Sequence, residues 1–95
     1  MAAKEKSKEF PVIEESTDVE GRRKNALILH NDEVNSFDYV IESLVEVCEH
    51  TEEQAEQCTY LVHYKGKCDV KTGSFDSLRP IRHALVDRGL TATIE

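Results

Sequence analysis

A run of four apolar residues that ends abruptly in a polar cluster constrains this chain more than any other feature. Residues 26–29 (ALIL) lead through His30 into residues 31–33 (NDE). A short apolar run bounded by Asn and Asp is typical of a buried β-strand that ends at a turn. Because the end of a strand holds its side chains firmly, we predict that Asn31 and Asp32 are placed to bind something small.

The chain is long enough for one small domain preceded by a tail. Of its 95 residues, 1–23 are rich in Lys, Glu and Ser and bury too little apolar surface to offset the entropy of ordering. We therefore predict a flexible N-terminal tail over 1–23 and a core domain over 24–95. No apolar run approaches the ~20 residues that span a bilayer, and no apolar signal-peptide segment is evident. We expect a cytoplasmic protein with no membrane partner.

The negative charge lies on the middle of the chain. Residues 1–24 carry six acidic and six basic side chains, residues 25–64 nine acidic and none basic, and residues 65–95 four acidic and six basic. Phosphate binding requires clusters of Lys and Arg, so we expect no nucleic-acid partner. A cationic ligand or a basic partner is favoured instead, although a merely solvated acidic face gives the same pattern.

Hydrophobic periodicity predicts a small single α+β domain with the order β-α-α-β-α-β. The predicted strands cover residues 25–30, 67–72 and 90–95. Packing a three-stranded antiparallel sheet against three helices buries the apolar stripe of each helix. The stripes are Phe37, Val40, Ile41, Leu44, Val45 and Cys48 in the first helix, Ala55, Cys58, Leu61 and Val62 in the second, and Leu78, Ile81, Ala84 and Leu85 in the third.

Capping signals predict the helix ends. A capping box with Gln54 starts the second helix, and Gly66 ends it. Pro80 is tolerated best in a first turn, which predicts a late start for the third helix. The predicted caps are Asn35 or Ser36 for the first helix, Thr51 for the second, and Asp76 or Ser77 for the third.

The three cysteines, Cys48, Cys58 and Cys68, are expected to be free and to behave as small buried hydrophobes. Their number is odd and no signal peptide accompanies them, so a disulfide framework is not expected. The chain lacks Cys-x-x-Cys and His-x-x-x-His spacings, so we expect no metal site and no cofactor. It also lacks a nucleophile–base motif and a phosphate loop, which argues against an enzyme.

A histidine in the second helix is a candidate binding residue. His63 follows Thr59 by four residues, which places both on one side of the helix. A lone histidine near a helix end is usually structural, and an Asn-Asp pair is most often a turn or a cap. Neither signal alone separates a binding site from a structural role.

Several segments together match the pattern of one family. They are residues 31–33 (NDE), 37–41 (FDYVI), 53–55 (EQA), 61–67 (LVHYKGK) and 90–95 (LTATIE). With these segments, residues 25–95 resemble the ClpS family of adaptors, which deliver N-degron substrates to a Clp unfoldase and protease. The pairing of the polar cluster with the Val-His-Tyr-x-Gly-Lys segment is the most specific part of the resemblance.

The resemblance implies a non-catalytic adaptor that binds a free, bulky hydrophobic N-terminal residue. The partners would be N-degron substrates and a AAA+ Clp unfoldase of the ClpA or ClpC type, with ClpP as the protease. Asn31, Asp32 and His63 would bind the substrate α-amino group, which at pH 7 is mostly a cation with three donors. We expect a monomer. The implied walls of the pocket for the first side chain are Phe37, Val40, Ile41, Leu44, Thr59, Val62 and Leu90.

Two pocket positions depart from the common pattern of the family. Met is frequent where this chain has Phe37 and Thr59; Phe is bulkier and stiffer, whereas Thr is smaller and carries a hydroxyl. The preferred first residues therefore stay open. A second class of protein also stays open: a non-catalytic interaction module like the C-terminal domain of the ribosomal stalk protein, in which Asn31 and His63 are only caps and core contacts.

Overall fold

The computed structural model describes residues 24–95, so the tail predicted over 1–23 lies outside the described residues. The elements are β1 (Asn25–His30), α1 (Phe37–Cys48), α2 (Glu52–Lys65), β2 (Lys67–Gly73), α3 (Phe75–Asp87) and β3 (Thr91–Ile94). The strands form an antiparallel sheet in the order β2-β1-β3. The predicted α+β class and element order are confirmed.

The core lies between the central strand and the helices. Leu27 and Leu29 of β1 are fully buried there. The core residues are Leu27, Leu29, Leu44, Cys48, Ala55, Val62, Val70, Leu78, Leu85, Leu90 and Ala92. Leu61 was expected in this core but is 42% exposed, which corrects the predicted stripe of α2. The buried positions of α2 are instead Ala55, Thr59 and Val62, whose spacing of four and three residues leaves Leu61 on the outer side.

A histidine in the loop between α1 and α2 stabilises a bulge in β2. Leu27 pairs with Lys71 and Ile28 with Asp69, so Val70 is the extra residue of the bulge. The carbonyl of Val70 accepts a hydrogen bond of 2.7 Å from the imidazole Nε2 of His50. Because a carbonyl only accepts, the Nε2 of His50 carries the proton, and the bulge carbonyl has a partner.

The capping signals predict two of the three helix starts. Ser36 caps α1. Thr51 and Gln54 form both hydrogen bonds of the capping box at α2, and Gly66 ends that helix at φ 94°. The prediction for α3 is wrong, because Ser74 is the cap and accepts a hydrogen bond from the amide of Ser77.

The prediction of a late start for α3 is wrong, because Pro80 lies inside the helix rather than in its first turn. The helix begins at Phe75, so Pro80 is its sixth residue and leaves the carbonyl of Asp76 without its usual partner. Both residues are exposed, which allows that carbonyl to be hydrated.

Leu90 lies in the connection between α3 and β3 rather than in the last strand. Its amide donates to the carbonyl of Leu85 at 3.0 Å, so β3 starts one residue later than predicted. Between residues 24 and 95, the helices lack the combination of length and apolar character that crossing a bilayer requires.

Candidate functional site

A small open cavity lies where the end of β1, the start of α1 and the last turns of α2 meet. Its volume is about 170 Å³. Apolar side chains from the core form its floor, and polar side chains surround its mouth. The lining residues are Leu29, His30, Asn31, Asp32, Glu33, Asn35, Phe37, Val40, Thr59, Val62, His63 and Leu90.

The cavity gathers most of the residues singled out from the sequence. Asn31, Asp32 and His63 all lie at its mouth. Of the seven expected wall residues, five line it: Phe37, Val40, Thr59, Val62 and Leu90.

Ile41 and Leu44 lie outside the lining of the cavity. Leu44 is fully buried in the core, and Ile41 packs against that core. The apolar stripe of α1 therefore divides along its length. Its first turn, with Phe37 and Val40, faces the cavity, and the following turns fill the core.

A backbone hydrogen bond brings the polar end of β1 next to the histidine of α2. The amide of Asn31 donates to the carbonyl of Gly66 at 2.9 Å. Gly66 is the C-cap of α2, so His63 lies less than one helical turn before the residue that is hydrogen-bonded to Asn31. Among the described residues, the side chains of Asn31 and His63 have no hydrogen-bond partner, which leaves both free for a ligand.

Asp32 organises the loop between β1 and α1. Its Oδ1 accepts hydrogen bonds from the amides of Val34 and Asn35, both at 3.0 Å, and from the side-chain nitrogen of Asn35 at 3.2 Å. Within residues 24–95, its Oδ2 accepts only from the Asn35 side chain, at 3.0 Å. Burial raises the pKa of the Asp32 carboxyl, but the amides of Asn35 and Val34 lower it more, so the net shift is downward. Asp32 is therefore ionised at neutral pH and keeps lone pairs of Oδ2 available.

Asn35 is a site residue that the sequence analysis treated only as a possible cap. Its side-chain nitrogen donates to the carbonyl of Gly89 at 3.0 Å as well as to Asp32. The contact with Gly89 spans 54 positions of the chain. It fixes the carboxylate of Asp32 against the turn between α3 and β3.

A row of aromatic rings borders the histidine. The ring of Phe37 meets that of Tyr60 edge to face at 5.0 Å and that of His63 at 6.1 Å. Tyr64 stacks on Tyr60 at 5.9 Å and meets His63 at 4.9 Å. The imidazole is therefore held between the rings of Phe37 and Tyr64. Tyr64 belongs to the Val-His-Tyr-x-Gly-Lys segment of the resemblance, but neither tyrosine was singled out as a site residue, because a spacing of four residues on an exposed helix face carries no signal of its own.

The electrostatics of the cavity favour a cation. Two carboxylates, Asp32 and Glu33, line it, and Lys and Arg are missing from its lining. Within residues 24–95 there is also no cluster of His, Cys, Asp and Glu that could hold a metal ion. The arrangement offers amide, carboxylate and imidazole acceptors beside an apolar floor.

The comparison with protein families decides between the open alternatives. Residues 20–93 match the family described as the ATP-dependent Clp protease adaptor protein ClpS. The chain belongs to the ClpS family. It therefore belongs to a family of protease adaptors, and the stalk-like alternative is disfavoured.

A solved structure has the same fold. The Agrobacterium tumefaciens ClpS2 structure, bound to L-phenylalaninamide, superposes with a TM-score of 0.70 at 20% identity, over 76% of this chain and 94% of that one. At this identity the likeness supports the ClpS fold, and the residues of the site have to be argued from this chain. No curated protein matches the sequence.

Proposed function

We propose that this ClpS protein binds substrates by a free, bulky hydrophobic N-terminal residue and delivers them to a AAA+ Clp unfoldase of the ClpA or ClpC type. The observation that carries the proposal is that Asn31, Asp32 and His63 line the same cavity, and that this cavity has an apolar floor. The ligand in the A. tumefaciens ClpS2 structure is L-phenylalaninamide. Like a free hydrophobic N-terminal residue, it has an amine and an apolar side chain.

The polar mouth of the cavity fits a free α-amino group. That group has a reference pKa of about 7.7–8.0, so at pH 7 it is mostly a cation with three N–H donors. Asn31 offers an amide oxygen, Asp32 its Oδ2, and His63 an unprotonated ring nitrogen. Each charge-assisted hydrogen bond contributes roughly 1.5–3 kcal/mol. An acetylated or internal residue lacks the charge and two of the donors, so it is rejected.

The floor of the cavity fits the first side chain. Leu29, Val62 and Leu90 are at most 5% exposed and present apolar surface. Covering an apolar side chain there stabilises the complex by about 25 cal/mol per Å² removed from water. Recognition thus combines amine capture with a side-chain pocket.

Peptide binding tests the proposal. A peptide that starts with free Phe is expected to bind, and its N-acetylated form is not. His63→Ala is expected to weaken binding at least about tenfold, because one charge-assisted acceptor is lost. The matched control is His83→Ala, since His83 is exposed on α3 and does not line the cavity. Equal binding of the free and acetylated peptides would show that the amine is not recognised.

Delivery needs a separate measurement. A reporter with an N-terminal Phe is expected to be degraded faster by a ClpA- or ClpC-type unfoldase with ClpP when this protein is added. His63→Ala is expected to remove the stimulation. Peptide binding without stimulation by either unfoldase would refute the delivery part of the proposal and leave the binding part standing.

A further inference from the structure

Two cysteines on different elements lie closer together than free thiols normally do. The Sγ atoms of Cys58, on α2, and Cys68, on β2, are 3.0 Å apart. A disulfide requires about 2.05 Å, so an approach of about 1 Å would join them. The third thiol, Cys48, is buried in the core and makes no contact of this kind among the described residues.

From this geometry we infer that Cys58 and Cys68 form an intrachain disulfide that links α2 to the edge strand β2. Neither residue belongs to the lining of the cavity. Cys58 directly precedes Thr59, and Cys68 pairs across the sheet with Leu29. The bond therefore joins two segments whose neighbours, Thr59 and Leu29, both line the cavity. The inference does not depend on the proposed function, because it concerns only the thiols.

The chemistry balances with a low-molecular-weight disulfide as the oxidant. The thiolate of Cys58 attacks one sulfur of the oxidant, forms a mixed disulfide and releases one small thiolate. Cys68 then loses its proton and attacks the Sγ of Cys58, which expels the second small thiolate. Two protein thiols are oxidised, one small disulfide is reduced to two small thiols, and the two protons pass to the released thiolates.

The surroundings of Cys68 affect how readily its thiol reacts. Burial, together with the Cys58 thiol and the charge of Asp69, raises the pKa of Cys68. A raised pKa lowers the thiolate fraction of Cys68, and the bond that forms is the same whichever of the two thiols attacks first. Both residues are half-buried, so the oxidant reaches them more readily than it reaches Cys48, whose pKa burial raises to about 11.

Counting free thiols tests the inference in the full chain. After incubation with oxidised glutathione, the protein is unfolded and alkylated with a maleimide. We expect one adduct, on Cys48, against three in the reduced protein, and a linked peptide that contains Cys58 and Cys68. Cys48→Ala is the matched control, because it should take up no maleimide after oxidation. In Cys58→Ser we expect the intrachain bond to be lost while the circular dichroism spectrum is kept.

Melting provides the second measurement. Closing a short loop between residues 58 and 68 constrains the unfolded chain, so the oxidised protein is expected to melt at least about 4 °C higher. Three adducts after oxidation would overturn the inference. So would a bond to Cys48, a disulfide between two chains, or a glutathione adduct that Cys68 does not displace.

Discussion

At the scale of single residues, the carboxylate of Asp32 combines two roles. Four hydrogen bonds to Val34 and Asn35 hold it in the loop, and one of its oxygens remains available at the mouth of the cavity. Preorganisation of this kind lets a charged acceptor bind an amine without first being ordered. The same hydrogen bonds lower the pKa of Asp32 overall, so the carboxylate also contributes to folding stability.

The pH dependence of unfolding tests the contribution of Asp32 to stability. Because its folded pKa lies below the unfolded value of about 3.9, its contribution is present above pH ~4 and is lost as the pH falls through the folded pKa. We expect Asp32→Asn to lower the urea midpoint at pH 7. The difference in urea midpoint between Asp32→Asn and the wild type should become smaller as the pH approaches 3.

The matched control for that series is Glu33→Gln. Glu33 is an exposed neighbour whose carboxylate accepts no hydrogen bond from the described residues. If the urea midpoints of the wild type and Asp32→Asn differ by the same amount at pH 7 and at pH 3, the carboxylate charge does not stabilise the loop.

Thr59 lines the cavity that we propose to hold the first side chain of the substrate. It is 3% exposed, and its hydroxyl donates to the carbonyl of Ala55 at 2.7 Å. Met at this position would add volume to the wall. We expect Thr59→Met to weaken binding of peptides that start with Ile or Val about tenfold more than of those that start with Leu, because branching at Cβ brings bulk close to the peptide backbone.

Thr59→Val controls for that substitution, because it keeps the shape of the side chain and removes only the hydroxyl. It is expected to retain the wild-type order of first residues in a fluorescence anisotropy panel varied only at position one. If Thr59→Met leaves that order unchanged, Thr59 does not determine specificity.

The sequence singles out the polar residues that line the cavity better than the apolar ones. Asn31 and Asp32 stand out because they end an apolar run, and His63 because of the family resemblance. Asn35 stayed hidden because its hydrogen bond to Gly89 depends on the tertiary fold. The family resemblance implied Ile41 and Leu44 as pocket walls, but both lie outside the lining of the cavity. The spacing of an apolar stripe could not have corrected this, since it is the same whether the stripe faces a cavity or the core.

At the scale of elements, local signals succeed where the backbone itself determines the conformation. The capping box at Thr51 and the glycine at Gly66 give the ends of α2, because their hydrogen bonds and backbone angles depend on nearby residues alone. The predicted start of α3 was wrong because tertiary packing, and not the nearby residues alone, determines where this helix begins. The packing of Leu78 and Leu85 in the core stabilises a helix that an internal proline disfavours.

That proline gives a prediction about stability. In Pro80→Ala, the amide regained at position 80 can donate to the carbonyl of Asp76, and the clash of the ring is removed. The loss of proline also makes the unfolded chain more flexible, which offsets part of the gain. We expect a net stabilisation of about 1–2 kcal/mol, seen as a higher urea midpoint at an unchanged slope. An unchanged or lower midpoint would show that α3 has already adapted to the ring.

At the scale of the whole molecule, the charge pattern and the cavity lie in the same part of the chain. The segment 25–64, which carries nine acidic and no basic side chains, supplies all but one of the residues that line the cavity. The exception is Leu90, in the connection between α3 and β3. The two carboxylates that line the cavity, in a segment without basic side chains, favour the cationic end of a peptide, so the proposed binding is expected to weaken with added salt.

Removal of residues 1–23 tests whether the domain predicted over 24–95 binds substrate by itself. The cavity is lined by residues between Leu29 and Leu90, so a chain that starts at Lys24 retains all of it. The removed segment carries six acidic and five basic side chains, which changes the net charge only from −7 to −6. We therefore expect the affinity for a peptide that starts with free Phe to change less than about twofold, since equal charge gives equal attraction.

One further truncation and one substitution make this result decisive. The family match begins at residue 20, so removal of 1–19 keeps the whole matched region and separates the effect of residues 20–23 from that of the rest. His63→Ala in the chain that starts at Lys24 should weaken binding at least about tenfold, as in the full chain, because the same acceptor is lost. A large loss of affinity on removal of 1–23, but not of 1–19, would place the boundary of the binding domain before residue 24.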